Sequence, residues 1–283
     1  MYVTQKVKDE QEYQHLESLR RIESASLARV EASGMFKNVQ PDTVAAVAHT
    51  AIRQGQICLR PGAQELCVDS TSKQFDIFHA LTKFRLMQSV YNSQQNPCAV
   101  HIISVAWSAS FILAAIQESF LKAINNSSMN AFSASTAIEV HANEINDTGS
   151  GTIEGSQICQ GRRILTIGDK SRAMATVIDL HRQNNPEAQL RTLFVGDSQT
   201  DLQCLMEADI GICMRDQPVT SEQRQLQESL ARLEVPVEHI STLRADSTRT
   251  SKQRKLYFAF NFEEILRSEF GCQILEIPSQ NGG

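Results

Sequence analysis

The chain has 283 residues, 41% of them hydrophobic and 21% charged, close to the roughly 45–50% apolar and 25% charged of ordinary globular domains, which excludes disorder as its main state. With 27 Lys and Arg against 32 Asp and Glu, the formal charge is −5, so no global positive field marks it for nucleic acid or an anionic membrane surface. No run approaches the ~18 apolar residues of a membrane span, and the segment from Tyr2 to Glu10 lacks the apolar stretch of a signal peptide.

Tyr13, Leu16, Leu19, Ile22, Leu27 and Val30 recur at mostly three-residue spacing, which predicts an amphipathic helix over 10–31 with Gly34 as its stop. Pro41 and Asp42 open a second helix that runs to Gly55. Residues 1–57 therefore read as a helical region. From Leu59 the texture changes: Arg60-Pro61-Gly62 is a turn, and short apolar runs then alternate with helical patterns, which implies an α/β domain with a parallel sheet over 58–283. Strands are expected at Ala99–Val105, Ile164–Ile167, Leu193–Val195, Ile210–Met214, Val237–Ile240 and Leu256–Phe260, with helices at 109–123, 170–183, 199–208 and 219–233. Asp147-Thr148-Gly149-Ser150-Gly151 reads as the turn of a hairpin whose arms are Ala137–Ile145 and Thr152–Ile158. The one basic cluster, Arg244 to Lys255, is interrupted by Asp246 and reads as a solvated loop. Seven cysteines (Cys58, Cys67, Cys98, Cys159, Cys204, Cys213 and Cys272) form no CxxC motif, so reduced, buried thiols in the cytosol or another reducing compartment are expected.

The densest chemistry lies in Val195-Gly196-Asp197-Ser198-Gln199-Thr200-Asp201. An apolar strand there delivers two carboxylates to the carboxyl edge of a parallel sheet, where open α/β folds place their ligands, and carboxylate oxygens suit Mg²⁺. The bland alternative is a helix cap at Asp197 and a solvated Asp201. Ser104 ends the run Ala99-Val100-His101-Ile102-Ile103, so its hydroxyl faces the same edge and could hold phosphate beside a helix N-terminus. Lys170 begins a helix for which Asp169 is a natural N-cap. A lysine in a first turn works against the helix dipole and calls for an anionic partner. Trp107, three residues beyond Ser104, is expected at this edge as a reporter of ligand.

In order and spacing, Ser104, Lys170 and Gly196-Asp197-Ser198 with Asp201 resemble the last three motifs of the haloacid-dehalogenase-like hydrolase superfamily. Met35-Phe36-Lys37, Leu59-Arg60-Pro61-Gly62, the Ser104 to Trp107 segment and Val140-His141-Ala142-Asn143-Glu144 are similar to the branch with the phosphatase domain fused to a thiaminase-II-like domain in plants, and to its fungal relatives. Over residues 30–215 the resemblance implies a Rossmann-like core, a helical cap and Mg²⁺-dependent phosphoryl transfer from a small phosphorylated metabolite. Some relatives act on phosphorylated thiamin compounds. It also implies roles: Ser104 and Lys170 bind the phosphoryl group, Asp197 ligates Mg²⁺, and Asp201 orients Lys170 or the metal shell.

The family's first motif, an apolar strand ending Asp-x-Asp-x-Thr that supplies the nucleophile, should precede the cap. No apolar strand precedes Tyr13, and Cys67-Val68-Asp69-Ser70-Thr71 is an imitation with one carboxylate on the wrong side of the cap. The chain as written is therefore expected to lack the first core strand and to hydrolyse nothing, because a carboxylate must take the phosphoryl group in-line. Two explanations stand: a shortened gene sequence, or a regulator that keeps phosphate and metal binding without turnover. A plain dinucleotide-binding fold would need a Gly-rich turn after its first strand, which is not seen.

Overall fold

The computed structural model describes residues 4–63, 99–125, 138–184, 186–187, 190–244 and 255–269. Cys67 to Thr71, most of the basic run after Arg244, Cys98 and Cys272 lie outside these residues. Three helices come first: α1 (Gln5–Ser18), α2 (Arg20–Ser33) and α3 (Pro41–Arg53). Then follow β1 (Val100–Ile103), α4 (Ala109–Asn125), β2 (Ile138–His141), β3 (Glu144–Ile145), β4 (Ile153–Glu154), α5 (Ile167–Asn184), β5 (Leu193–Gly196) and α6 (Leu202–Glu207). The chain continues through β6 (Ile210–Met214), α7 (Ser221–Arg232), β7 (Val237–His239), β8 (Leu256–Ala259) and α8 (Phe262–Arg267).

The architecture is α/β with a parallel sheet between helices, compatible with a Rossmann-like arrangement. The main sheet has the strand order β5-β6-β8-β7, all parallel. A separate parallel pair sets β1 beside β2, with Val100 opposite Ile138 and Ile103 opposite His141. Alternation along β6 divides the core between the two faces of the main sheet. Ile210, Ile212 and Met214 pack with Ile240, Tyr257 and Ile265, whereas Cys213 joins Leu16, Ile167, Leu202, Leu205, Leu226 and Leu230. Gly211 is required by close packing, since a Cβ there would meet the Leu205 carbonyl oxygen at 2.3 Å. α5 serves both sheets, with Ile167 in the core of the four-stranded sheet and Ala173 packed with Ile103 and Val105 beside the strand pair. No helix among the described residues is long and apolar enough to cross a membrane.

The N-terminal helices are tied to this framework by polar contacts. In α1, the buried Glu12 accepts from Arg232 at 2.6 and 3.0 Å, and Gln5 donates to the Leu233 carbonyl at 2.8 Å. Glu31 of α2 accepts from the Ile153 N–H and from Arg163. α3 packs on α4 through Ile52 and the small residues Ala48, Ala114 and Ala115, which let the helices approach closely, while Arg53 and His49 both reach the Glu118 carboxylate.

Four expected elements are corrected. The single helix over 10–31 is broken at Leu19, where Glu17 and Arg20 turn to the start of α5: Glu17 accepts from the Gly168 N–H, and Arg20 donates to Thr166 and Asp169. No strand forms at Ile164–Ile167, because side chains take its backbone groups. Asn143 bonds both the N–H and the carbonyl of Ile164, and Asp169 accepts from the N–H groups of Leu165 and Thr166. α5 consequently starts at Ile167, so Asp169 and Lys170 lie inside it rather than at its cap. The long hairpin is reduced to β3 and β4, since Ile138–His141 pairs instead with β1, and the Asn143 backbone bonds Ala106 and Ala109.

The docking of α1 has a pH signature. Hydrogen bonding to the Arg232 guanidinium holds the Glu12 carboxyl below its ordinary value of 4.5, against the opposing effect of burial. A depressed folded-state value stabilises the fold fully above that ordinary value and less as pH falls through the folded one. Glu12→Gln is expected to cost about 1 kcal/mol at neutral pH, with the deficit shrinking below pH 4.5 in urea melts across the pH range. A deficit independent of pH would exclude this origin.

Candidate functional site

β5 ends at Gly196, and the chain turns at once into a short 3₁₀ turn, Gln199–Asp201, that leads into α6. The turn is closed by a capping box: Asp201 Oδ2 accepts from the N–H groups of Asp197 and Ser198 at 3.2 and 3.1 Å and from the Ser198 hydroxyl at 2.8 Å. Asp201 Oδ1 accepts from Lys170 Nζ at 2.7 Å, and both side chains are buried, 7% and 8% exposed. Gly196 permits this approach, because a Cβ there would lie 2.5 Å from the Asp201 Cβ. Beneath Lys170, burial by itself would raise the Asp169 carboxyl, but Arg20 and the Leu165 N–H hold it below the usual range.

Asp197 is half exposed and faces Arg60, whose Nη2 lies 3.1 Å from Asp197 Oδ2. The same guanidinium also grips Asp216, two residues past β6, through both nitrogens. Asp216 is fixed in turn by Gln223, which donates to Oδ2 and accepts from the Asp216 N–H, each at 2.8 Å. The Arg60 bond holds the Asp216 carboxyl below its ordinary value. Two carboxylates at the ends of neighbouring parallel strands thus converge on one cation, here a guanidinium. Arg60 is presented by a turn whose Gly62, at φ +79°, lies against the Phe262–Glu263 backbone so closely that a Cβ would meet Glu263 N at 2.2 Å.

Ser104 follows β1. Its N–H donates to the His141 carbonyl at 2.9 Å, and its hydroxyl accepts from the Ala106 N–H at 3.1 Å. Among the described residues no hydrogen bond joins Ser104 to Lys170, Asp197 or Asp201. The link is Asn143, fully buried, whose amide donates to the carbonyls of Val105, Ala106 and Ile164. One side chain therefore ties the loop after Ser104 to the segment that leads to Lys170. The first turn of α4 already has its anion: Glu144 accepts from the Ser110 N–H and the Ser108 hydroxyl, both at 2.7 Å. A phosphate beside Ser104 would thus meet the loop rather than this helix end. Trp107 is 37% exposed and stands edge-on to Phe36, ring centres 5.9 Å apart.

A second cluster lies on β1 and β2. His101 Nδ1 is 3.0 Å from His141 Nε2, His101 Nε2 is 2.8 Å from His181 Nε2 on α5, and Glu139 lies beside the first pair. His101, Glu139 and His141 form a group able to hold a metal ion. Burial lowers the His101 imidazole to about 4, and burial lowers His141 as well, so both rings present lone pairs at neutral pH. Cys159, Cys204 and Cys213 are buried free thiols, and burial pushes Cys213 up to about 12, which leaves it no nucleophilic role at neutral pH.

A stretch of 132 residues is 27% identical to the "Bifunctional TH2 protein, mitochondrial" of Arabidopsis thaliana, covering 45% of this chain and 18% of that protein. The chain thus spans less than a fifth of that relative's length. No protein-family model matches the chain, and no solved structure does.

Sequence reasoning singled out Asp197, Asp201, Lys170 and Ser104 but missed Asp216, Asn143 and the histidine cluster. Asp216 carried the same signal as Asp197, a carboxylate just past an apolar strand, in Ile212-Cys213-Met214-Arg215-Asp216. Asn143 and His141 stood in a segment that carried the family resemblance, but their roles, like those of His101 and His181, depend on partners brought together only by folding. The buried pair offers a direct test. Lys170→Met leaves Asp201 charged and unpaired and is expected to cost about 3–5 kcal/mol. The double variant Lys170→Met/Asp201→Asn should cost about 1 kcal/mol or more less than the sum of the two single changes. Denaturant melts of the four proteins read the coupling, and strict additivity would mean the pair is not the unit described here.

Proposed function

We propose that the edge formed by Ser104, Lys170, Asp197 and Asp201 is the phosphate- and Mg²⁺-binding part of a haloacid-dehalogenase-like phosphatase centre for a small phosphorylated metabolite. The observation that carries it is the buried Lys170–Asp201 pair set one turn from the half-exposed Asp197 at the end of a parallel strand. Asp201, satisfied by four donors, holds Lys170 in place, and the remaining N–H donors of Lys170 meet phosphoryl oxygens together with the Ser104 hydroxyl. Asp197 supplies the metal ligand. The convergence of Asp197 and Asp216 on Arg60 supports an oxygen-donor site that tolerates a cation. Mg²⁺, when bound, offsets the charge on the phosphoryl oxygens. The similarity to a plant TH2 protein supports the same reading.

Among the described residues, the carboxylates at this edge are all engaged: Asp201 with Lys170, and Asp197 and Asp216 with Arg60. None of these three is free to attack phosphorus. This favours, as a second reading, a regulator that binds phosphate and metal without turnover.

Calorimetric titration with Mg²⁺ and inorganic phosphate, run beside a phosphate-monoester assay, tests the site. Binding of both without hydrolysis is expected, with Mg²⁺ binding lost in Asp197→Asn and phosphate binding in Lys170→Ala. Mg²⁺-dependent hydrolysis that survives Asp197→Asn would overturn the proposal. Joining a strand that ends in Asp-x-Asp to the chain separates the two readings: turnover supports the phosphatase, and binding alone the regulator. Arg60→Ala removes the competing cation and is expected to tighten Mg²⁺ binding about tenfold, equivalent to about 1.4 kcal/mol. Unchanged affinity would show that Arg60 does not occupy the metal position.

A further inference from the structure

We propose that His101, His141 and Glu139 form a second metal site, selective for a divalent transition metal with Zn²⁺ the first expectation, and that His181 orients it from α5. The site is built by strand register. In the parallel pair, His101 lies opposite Glu139, and His141 follows Glu139 by two residues, so all three side chains emerge on the same face. His101 Nδ1 and His141 Nε2 are 3.0 Å apart, and Glu139 Oε2 lies 3.5 Å from the first and 3.7 Å from the second. A point equidistant from three atoms so arranged lies about 2.0 Å from each, within the bond lengths of Zn²⁺ to imidazole nitrogen and carboxylate oxygen, about 2.0–2.2 Å. The donor atoms are already placed at ligand distance from a common centre, and no backbone movement is needed.

The donor set decides the metal class. Two imidazoles and one carboxylate suit Zn²⁺, Cu²⁺ or Ni²⁺, whereas Mg²⁺ demands oxygen ligands. This separates the cluster from Asp197 by chemistry as well as by position. His181 completes the arrangement. With His181 Nε2 2.8 Å away, a proton on His101 Nε2 is donated to it, which leaves the Nδ1 lone pair for the metal. The two ring walls are nearly buried, while Glu139 is 66% exposed, so the site opens to solvent on the carboxylate side. The site also answers a structural need. β1 and β2 pair only with each other among the described strands, and a two-stranded ladder is marginal alone. A metal bridging one strand to the other fastens it.

The whole chain, purified without a polyhistidine tag and stripped with a chelator, should take up one equivalent of Zn²⁺ with micromolar or tighter affinity in calorimetry, and its melting temperature should rise with added Zn²⁺. Co²⁺ in place of Zn²⁺ should give the visible absorption bands of a four-coordinate nitrogen and oxygen site. Glu139→Gln changes an exposed side chain, so it leaves the fold intact, and it should weaken Zn²⁺ binding at least about tenfold; His141→Gln should abolish it. His181→Phe should weaken it by about 10–100-fold, the usual effect of removing a hydrogen-bond partner of a metal-bound histidine. Failure to bind Zn²⁺, or Zn²⁺ binding of unchanged affinity in Glu139→Gln and His141→Gln, would overturn the assignment.

Discussion

The buried ion pair between Lys170 and Asp201 is the constraint around which this molecule is arranged. A lone lysine or aspartate in that position would be untenable, because the penalty of removing an ion from water amounts to several kcal/mol. The pair is tolerable only because Asp201 is also saturated by two backbone N–H groups and a hydroxyl. That saturation demands a tight turn directly after β5, and the turn demands a glycine at position 196. It also fixes the rotation of α5, which must present Lys170 to the sheet and Ile167 to the core. The register of the helix that joins the two sheets is therefore set by a polar contact, with the apolar packing built around it.

A second theme is the use of side chains in place of backbone ladders. Every buried N–H and carbonyl must find a partner. At the start of α4 and in the segment just before α5, where backbone groups lack ladder partners, Asn143, Glu144 and Asp169 serve as those partners. This ties the loop after β1 to the segment before α5 and keeps both rigid. The N-terminal helices contribute to the same rigidity. Glu17 and Arg20 at their break add to the polar network at the start of α5, and Glu31 fastens β4 and Arg163.

The two clusters of donor atoms differ in chemistry for a reason rooted in their elements. The carboxyl edge of the main sheet gathers oxygen donors on loops, Asp197 and Asp216, which close on the Arg60 guanidinium. The face of the β1–β2 pair gathers imidazoles on regular strands, where the pleat alone sets the spacing. Imidazole nitrogens disfavour Mg²⁺, which takes oxygen ligands, whereas carboxylates accept either ion.

Much of the architecture is present in local patterns. The apolar run Leu193-Phe194-Val195 followed by Gly196-Asp197 specifies a strand that ends on a carboxylate. Pro41 specifies the start of α3, and Thr220 with Gln223 specifies the start of α7, because propensity, capping and turn chemistry act over a few residues. Local pattern fails where a distant side chain competes for the backbone. Ile164–Ile167 reads as a strand on its own composition, yet Asn143 and Asp169 claim its hydrogen bonds. The apolar spacing over 10–31 continues unbroken through Leu19, yet the chain turns there to reach α5. The clusters were hidden for the same reason. His101, Glu139, His141 and His181 are spread over 80 residues, and Arg60 stands 137 from Asp197; only the parallel pairing of β1 with β2 and the docking of the Arg60 turn on α8 bring them together. The sequence by itself determined which residues could carry charge to a sheet edge, because strand and turn signals are local. Which of those charges meet, and which are neutralised by a partner, only the tertiary structure decided, because burial and pairing are properties of the packed whole.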